Sequence, residues 1–144
     1  MNTKSLHKLE YDKIIELLSE HASSPGGKER CLHLLPKSNL FEIERMQEET
    51  AAAFTRLVKK GSLSFSGCYP VEASLKRLQI GASLGCSELL SICKLLETTG
   101  RVKAFGRHDT ADDLPDCLDD FFNRLEPVTP VSSEIRRCIP EEDT

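Results

Sequence analysis

The chain has 144 residues, the size of one domain that buries about two-thirds of the surface of its unfolded form. Hydrophobic residues make up 39% and charged residues 29%, which excludes disordered, collagen-like and membrane-spanning classes. With 19 Lys and Arg against 23 Asp and Glu, the net charge is -4, so the chain lacks the basic excess of an isolated nucleic-acid-binding domain.

Helical spacing of apolar side chains begins near the N-terminus. The first predicted helix ends near residue 22 and buries one stripe: Ile14, Leu17, Leu18, His21 and Ala22. Ser24 is a candidate N-cap and Pro25 suits the first position of a second helix over 25–35. Pro36 then ends this helix.

The third predicted helix covers 39–60 and is one of the two longest. Asn39 and Glu42 have the spacing of a capping box, and Gly61 ends the helix. Its predicted inner face consists of Ile43, Met46, Thr50, Ala53, Phe54 and Leu57. Residues 61–70 are rich in Gly and Ser and predict a loop.

Four further helices complete the pattern. They are predicted over 71–80, over 86–105, after an N-cap at Asp113, and around 131–139. The apolar positions of the third-last and second-last helices are Leu89, Ile92, Cys93, Leu96, Leu118, Phe121, Phe122 and Leu125. Because no strand pattern alternates with these helices, the sequence predicts an all-α, irregular multi-helix bundle in a single helical domain over 1–144.

Hydropathy and cysteine spacing indicate the cellular compartment of the protein. No apolar segment resembles a secretion signal or a membrane span, which predicts a cytoplasmic protein. The six cysteines are widely spaced, lack metal-ligand spacing and are predicted to be reduced: Cys31, Cys68, Cys86, Cys93, Cys117 and Cys138.

The sequence predicts no catalytic, cofactor-binding or metal-binding residue. Gly26, Gly27 and Lys28 suggest a phosphate loop, but the required glycine and hydroxyl positions hold Ala22 and Glu29. The four histidines lie on separate segments without a nucleophile motif: His7, His21, His33 and His108. The basic stretch 94–107 and the acidic stretch 109–120 are predicted to be solvated surfaces.

An ordered series of short pieces resembles a known family, the N-terminal region of the bacterial second MutS paralogue, a MutS-like ATPase with a C-terminal Smr endonuclease domain. The pieces in the first half are Leu9-Glu10-Tyr11-Asp12-Lys13-Ile14, Leu17-Leu18, Ala22-Ser23-Ser24, Gly27-Lys28, Leu34, Pro36, Leu40, Ile43, Glu48-Glu49-Thr50 and Ala52. Those in the second half are Leu75-Lys76-Arg77, Ile80-Gly81, Leu84, Glu88-Leu89-Leu90, Glu134-Ile135, Cys138-Ile139 and Glu142-Asp143.

The resemblance implies the helical core of a MutS-type protein and a role in transmitting ATPase state to clamp arms. It also implies work on branched DNA that suppresses recombination and, in some members, work on collided ribosomes. ATP and Mg²⁺, a homodimer and contacts with the clamp and ATPase domains are implied for the full-length family, without membrane association. Where the family continues with an Asp-Gly pair, this chain has Asp143-Thr144, so we expect a truncated N-terminal fragment that is not itself an enzyme. The alternative is a free-standing helical protein-interaction module with no nucleic-acid role.

Overall fold

A computed structural model describes residues 3–109 and 114–140, and within these ranges it contains helices and no strand. The all-α prediction is therefore confirmed. In chain order the helices are α1 (Thr3–Lys8), α2 (Tyr11–Glu20), α3 (Pro25–Leu32), α4 (Leu40–Lys60), α5 (Glu72–Gln79), α6 (Cys86–Phe105), α7 (Asp119–Asn123) and α8 (Thr129–Cys138).

Two of the predicted N-caps are confirmed by the helix starts. The Ser24 hydroxyl accepts a hydrogen bond from the Gly27 amide at the start of α3, at 3.1 Å. The Asn39 side chain accepts one from the Glu42 amide at the start of α4, also at 3.1 Å. Each bond satisfies an amide that the first helical turn leaves without a backbone partner.

The structure differs from the sequence prediction at three helices. It adds α1, which the apolar spacing did not indicate, and separates it from α2 at Glu10, whose φ is 53°. It ends α3 at Leu32 rather than at residue 35, because Pro36 has no amide hydrogen to donate to the Leu32 carbonyl oxygen. The Leu34 carbonyl oxygen instead accepts a hydrogen bond from the distant Tyr11 hydroxyl. It restricts α7 to five residues. The predicted cap Asp113 and the residues 142–144 lie outside the described ranges.

The described helices pack in two groups. In the first, α2 lies against α1 and α3, and in the second, α6 lies against α7 and α8. The buried apolar side chains are Ile15 in the first group and Cys93 and Val102 in the second. Helix α4, about 31 Å long, extends between the groups.

The prediction that the first helix buries its apolar stripe is wrong. Ile14, Leu17 and Leu18 are exposed, and the buried residue of α2 is Ile15 instead. The predicted spacing identified an amphipathic helix, but the residue of α2 that the structure buries, Ile15, lies beside this stripe rather than within it. Its most apolar face therefore remains open.

The chain buries less surface than its length predicts. Its accessible surface is 11,008 Å², whereas a compact monomer of this mass exposes about 7,400 Å². The folded chain thus buries about half of the surface of its unfolded form rather than two-thirds. Much of the excess is apolar, since Phe41, Phe54 and Ile80 are each largely exposed.

Candidate functional site

An open apolar groove of about 640 Å³ lies between α2 and α4. One wall comes from Tyr11 and the segment after α3, and the other from a face of α4. The apolar lining side chains are Leu34, Leu35, Pro36, Ile43, Met46 and Phe54. An exposed apolar surface of this kind is typical of a protein-interaction site.

The groove wall after α3 is held by specific polar contacts. The Tyr11 hydroxyl donates to the Leu34 carbonyl oxygen at 3.0 Å, which connects α2 to this segment. At the rim, the Lys37 ammonium lies 3.0 Å from the Glu42 carboxylate on the first turn of α4. The first contact holds one wall together, and the second joins that wall to the start of α4 without filling the space between them.

The face that α4 presents to the groove includes most of its predicted inner face. Ile43 and Met46 are half-buried, whereas Phe54 is 69% exposed. The spacing identified this apolar face, but the prediction that it is an inner face is wrong, since no described helix covers it. Burial of one such phenyl ring would contribute about 1.5–3 kcal/mol, so the groove retains substantial capacity to bind apolar side chains.

The C-terminal part of α4 is anchored by a buried arginine. The Arg56 guanidinium donates to both carboxylate oxygens of Asp116, at 2.7 and 2.8 Å, and to the Gly106 carbonyl oxygen at 3.0 Å. It also contacts the Asp119 carboxylate and lies 4.8 Å from the centre of the Phe122 ring. One side chain of α4 therefore connects the end of α6 with α7.

The charges of this cluster stabilise one another. The pKa of Asp116 is lowered because its carboxylate accepts hydrogen bonds from Arg56. Burial would raise the pKa of Asp119, but hydrogen bonds from His108 and Arg56 outweigh burial and lower it. The hydrogen bonds from Arg56 to Asp116 likewise raise the pKa of the guanidinium. All three groups are charged at neutral pH, as a partly buried ion-pair network requires.

A second polar cluster joins α6 to α8. The Arg136 guanidinium donates to both carboxylate oxygens of Glu97, at 2.8 and 2.9 Å, and this pairing lowers the pKa of Glu97. The Cys93 thiol, fully buried, donates to the Ser132 carbonyl oxygen at 3.5 Å. Burial raises the pKa of the Cys93 thiol, which keeps it a neutral donor.

The sequence did not predict the Arg56 cluster. Asp116 and Asp119 fall within the acidic stretch assigned to a solvated surface, and their partner lies sixty residues earlier. Lys60 is similar, since its ammonium contacts the carbonyl oxygens of Phe105 and Arg107.

The Gly26-Gly27-Lys28 segment does not have the geometry of a phosphate loop. It forms the first turn of α3, and the Gly27 amide already donates to Ser24. Lys28 is exposed. These residues therefore do not fit the phosphates of ATP, which a loop of free backbone amides must surround.

The four histidines have separate local positions. His7 lies 3.6 Å from the Asp12 carboxylate, and His21 follows the end of α2. His33 contacts the Glu29 carbonyl oxygen at 2.8 Å, and His108 contacts the Asp119 carboxylate at 2.9 Å. Among the residues that the structure describes, no three His, Cys, Asp or Glu side chains are grouped so that they could hold a metal ion. No described helix has the length and apolar character that a membrane crossing requires.

Comparison with known proteins gives a consistent set of relatives. A protein named Endonuclease MutS2 from Lachnoclostridium phytofermentans is 48% identical over 148 residues, which covers 99% of this chain and 19% of the relative. Proteins of the same name from Agathobacter rectalis and a Geobacillus species are 46% and 36% identical, over 99% and 98% of this chain and 18% of each relative. The chain thus spans less than a fifth of the curated relatives it matches. No protein-family model matches it.

Proposed function

Since this chain belongs to the Endonuclease MutS2 family, we propose that it acts there as a non-catalytic helical core segment that transmits ATPase state to clamp arms. The open apolar groove is the observation that carries the proposal. It is a surface that needs a protein partner, and the relatives have about five times the length of this chain. The occupant we propose is the rest of the full-length chain.

The position of α4 supports a mechanical role. Its N-terminal half forms one wall of the groove, and Arg56 near its C-terminus contacts α7 and the end of α6. Because α4 is one continuous helix of about 31 Å, a displacement at the Arg56 anchor would also displace the groove wall. Transmission of this kind requires packed elements with two arrangements rather than reactive side chains.

The activity of the full-length protein follows from the same proposal. ATP and Mg²⁺ would bind outside this chain. A homodimer of the full-length protein would act on branched DNA and thereby suppress recombination, and it would also act on collided ribosomes. The alternative is a free-standing helical interaction module without a nucleic-acid role. The coding sequence after Thr144 distinguishes the two, because only the first predicts an in-frame G-x-x-x-x-G-K-[ST] motif.

Binding in trans tests the proposed occupant. The chain is mixed with the Lachnoclostridium phytofermentans relative from which the matched region has been deleted, and affinity is measured by calorimetry. We expect a complex that Phe54→Asp weakens at least about tenfold, because it places a charge in an apolar contact.

A matched control is available on the same helix. Phe41 is 78% exposed and lies about 150° from the centre of the groove face, so Phe41→Asp should leave the affinity unchanged. Failure to form a complex, or equal weakening by both substitutions, would contradict the proposed occupant.

Transmission requires a separate measurement in the full-length protein. With Phe54→Asp, basal ATP turnover should remain while the change in turnover on adding branched DNA is lost. Phe41→Asp should retain both. If Phe54→Asp leaves the DNA-dependent change intact, the groove has no part in transmission.

A further inference from the structure

A small polar pocket lies beside α6, in the second helix group. It is bounded by the loop before α5 and by one face of α6, and its volume is about 230 Å³. The loop contributes Ser66 and Tyr69, and α6 contributes Lys94, Glu97, Thr98 and Arg101. Those four α6 residues follow the i, i+3, i+4, i+7 spacing of a single helix face.

Positive charge predominates around this pocket. Its carboxylate, Glu97, is paired through two hydrogen bonds with Arg136, so its charge is already compensated. Lys94 and Arg101 add two further cations. The hydrogen-bond partner of Arg101 is the neutral Thr98 hydroxyl at 2.8 Å rather than a carboxylate. The pocket therefore has the charge to attract an anion although the whole chain has a net charge of -4.

Hydroxyl donors accompany the cations. Thr98 is fully buried beneath the backbone of Gly67, and its hydroxyl oxygen accepts a hydrogen bond from Arg101, which holds the guanidinium at the pocket wall. The opposite wall is lined by Ser66 and Tyr69, whose side chains carry hydroxyl groups. Guanidinium, ammonium and hydroxyl groups together are the donors that bind phosphate oxygens in proteins.

Gly67 fixes the shape of the pocket. A Cβ atom at this position would lie 2.2 Å from the Thr98 hydroxyl oxygen and 3.1 Å from the Lys94 carbonyl oxygen. The loop backbone therefore rests directly on α6, at a distance that only glycine permits. The volume enclosed is below the range of about 300–1,000 Å³ that is usual for whole small-molecule ligands.

We propose that this pocket binds a single phosphate group, with Arg101 and Lys94 contacting its oxygens. The size and the donor set suit one tetrahedral anion, supplied either by a phosphate monoester or by a phosphodiester of a nucleic-acid strand. The pocket shares no lining residue with the groove, so phosphate binding does not depend on what occupies the groove.

The test is a titration of the intact chain with inorganic phosphate, followed by amide NMR shifts. We expect saturable shifts at Gly67, Thr98 and Arg101 with a dissociation constant of about 1–10 mM, which Arg101→Gln and Lys94→Gln each raise at least about fivefold. Arg45 on α4 is also an exposed arginine, and Arg45→Gln should leave the constant unchanged.

Two further titrations identify the source of the phosphate. Dimethyl phosphate and a short single-stranded oligonucleotide represent the diester, and phosphoserine represents the monoester. Saturable binding of either type at the same amides supports the site and assigns its source. Shifts spread over all lysines and arginines, or equal binding by Arg101→Gln, would overturn the proposal. Because Arg101 is exposed, its substitution should leave the helical content unchanged, which circular dichroism checks.

Discussion

The side chain of Ile15 illustrates how few residues form the interior of this chain. It is 7% exposed, whereas Leu17, two positions later and part of the more conspicuous apolar stripe, is 60% exposed. The two residues have similar volume and lie in the same helix, so burial is the main difference between them. Their substitution by alanine therefore measures which face of α2 is packed.

We expect Ile15→Ala to lower the free energy of unfolding by about 2–4 kcal/mol, because it leaves a cavity between packed helices. Leu17→Ala should lower it by less than about 0.5 kcal/mol. Urea unfolding followed by circular dichroism measures both. Equal losses would show that the apolar stripe is packed in solution, as the sequence spacing predicted.

Asp116 makes the stability of the chain depend on pH. Its pKa is lowered by the hydrogen bonds from Arg56, so the folded state holds the carboxylate below the unfolded value of about 3.9. The stabilisation is complete above about pH 5 and is lost as the pH falls through the folded pKa.

Asp116→Asn should therefore lower the free energy of unfolding by about 1–3 kcal/mol at pH 7 and reduce its dependence on pH below about 5. Asp12, which is well exposed, provides the control, and Asp12→Asn should change neither quantity by more than about 0.5 kcal/mol. Thermal unfolding between pH 3 and pH 7 provides the comparison. An unchanged pH profile in Asp116→Asn would mean that the ion pair does not stabilise the fold.

Among the elements, α6 organises the second helix group through close approaches at its C-terminal end. Gly106, which ends the helix, lies so near Phe122 that a Cβ atom would be 2.2 Å from the ring. The backbone of Gly106 has a φ of -69°, which alanine also adopts, so the requirement for glycine is one of space rather than conformation.

Gly106→Ala should lower the unfolding midpoint temperature by about 4–8 °C, because Phe122 must move from its position against Arg56. Gly26→Ala is a matched control, since nothing lies within 4 Å of the added Cβ and the residue is in a helix. That substitution should raise the midpoint, because alanine favours the helix. If the two substitutions change the midpoint temperature equally, Phe122 does not lie against Gly106 in solution.

Element boundaries were predicted well where the signal was local. The caps at Ser24 and Asn39 and the full extent of α6 follow from neighbouring residues, and all were predictable. The contact of Arg56 with Asp116 and the hydrogen bond from Tyr11 to Leu34 each join residues more than twenty positions apart. No local pattern encodes such pairs, so the anchor of α4 and the wall of the groove could not be predicted.

At the scale of the whole molecule, amphipathic spacing identified the apolar faces but not their partners. The face of α4 from Ile43 to Phe54 was expected to close one core, yet in the structure it borders an open groove. The sequence of this chain identifies an apolar face that needs a partner, and under the proposed function that partner is the rest of the full-length chain. This explains how a correct helix assignment accompanied an incorrect expectation of the buried surface.

The chain alone should hydrolyse no ATP and should bind duplex DNA only weakly at physiological salt. Its net charge of -4 opposes contact with a polyanion, and one phosphate pocket would supply about one phosphate contact. Colorimetric phosphate release and fluorescence anisotropy measure the two activities. Turnover that Lys28→Ala abolishes, or a dissociation constant below about 1 μM, would contradict the proposed division of functions.

No side chain of α4 from Leu40 to Thr55 is buried, although the helix has good caps and an anchor at Arg56. Its amide hydrogens in that stretch depend on local helix stability alone, because opening a turn there exposes little additional apolar surface. They should exchange with deuterium much faster than those near Cys93 and Val102. Occupation of the groove would slow this exchange, so deuterium uptake along α4 would report directly whether its exposed face has been covered.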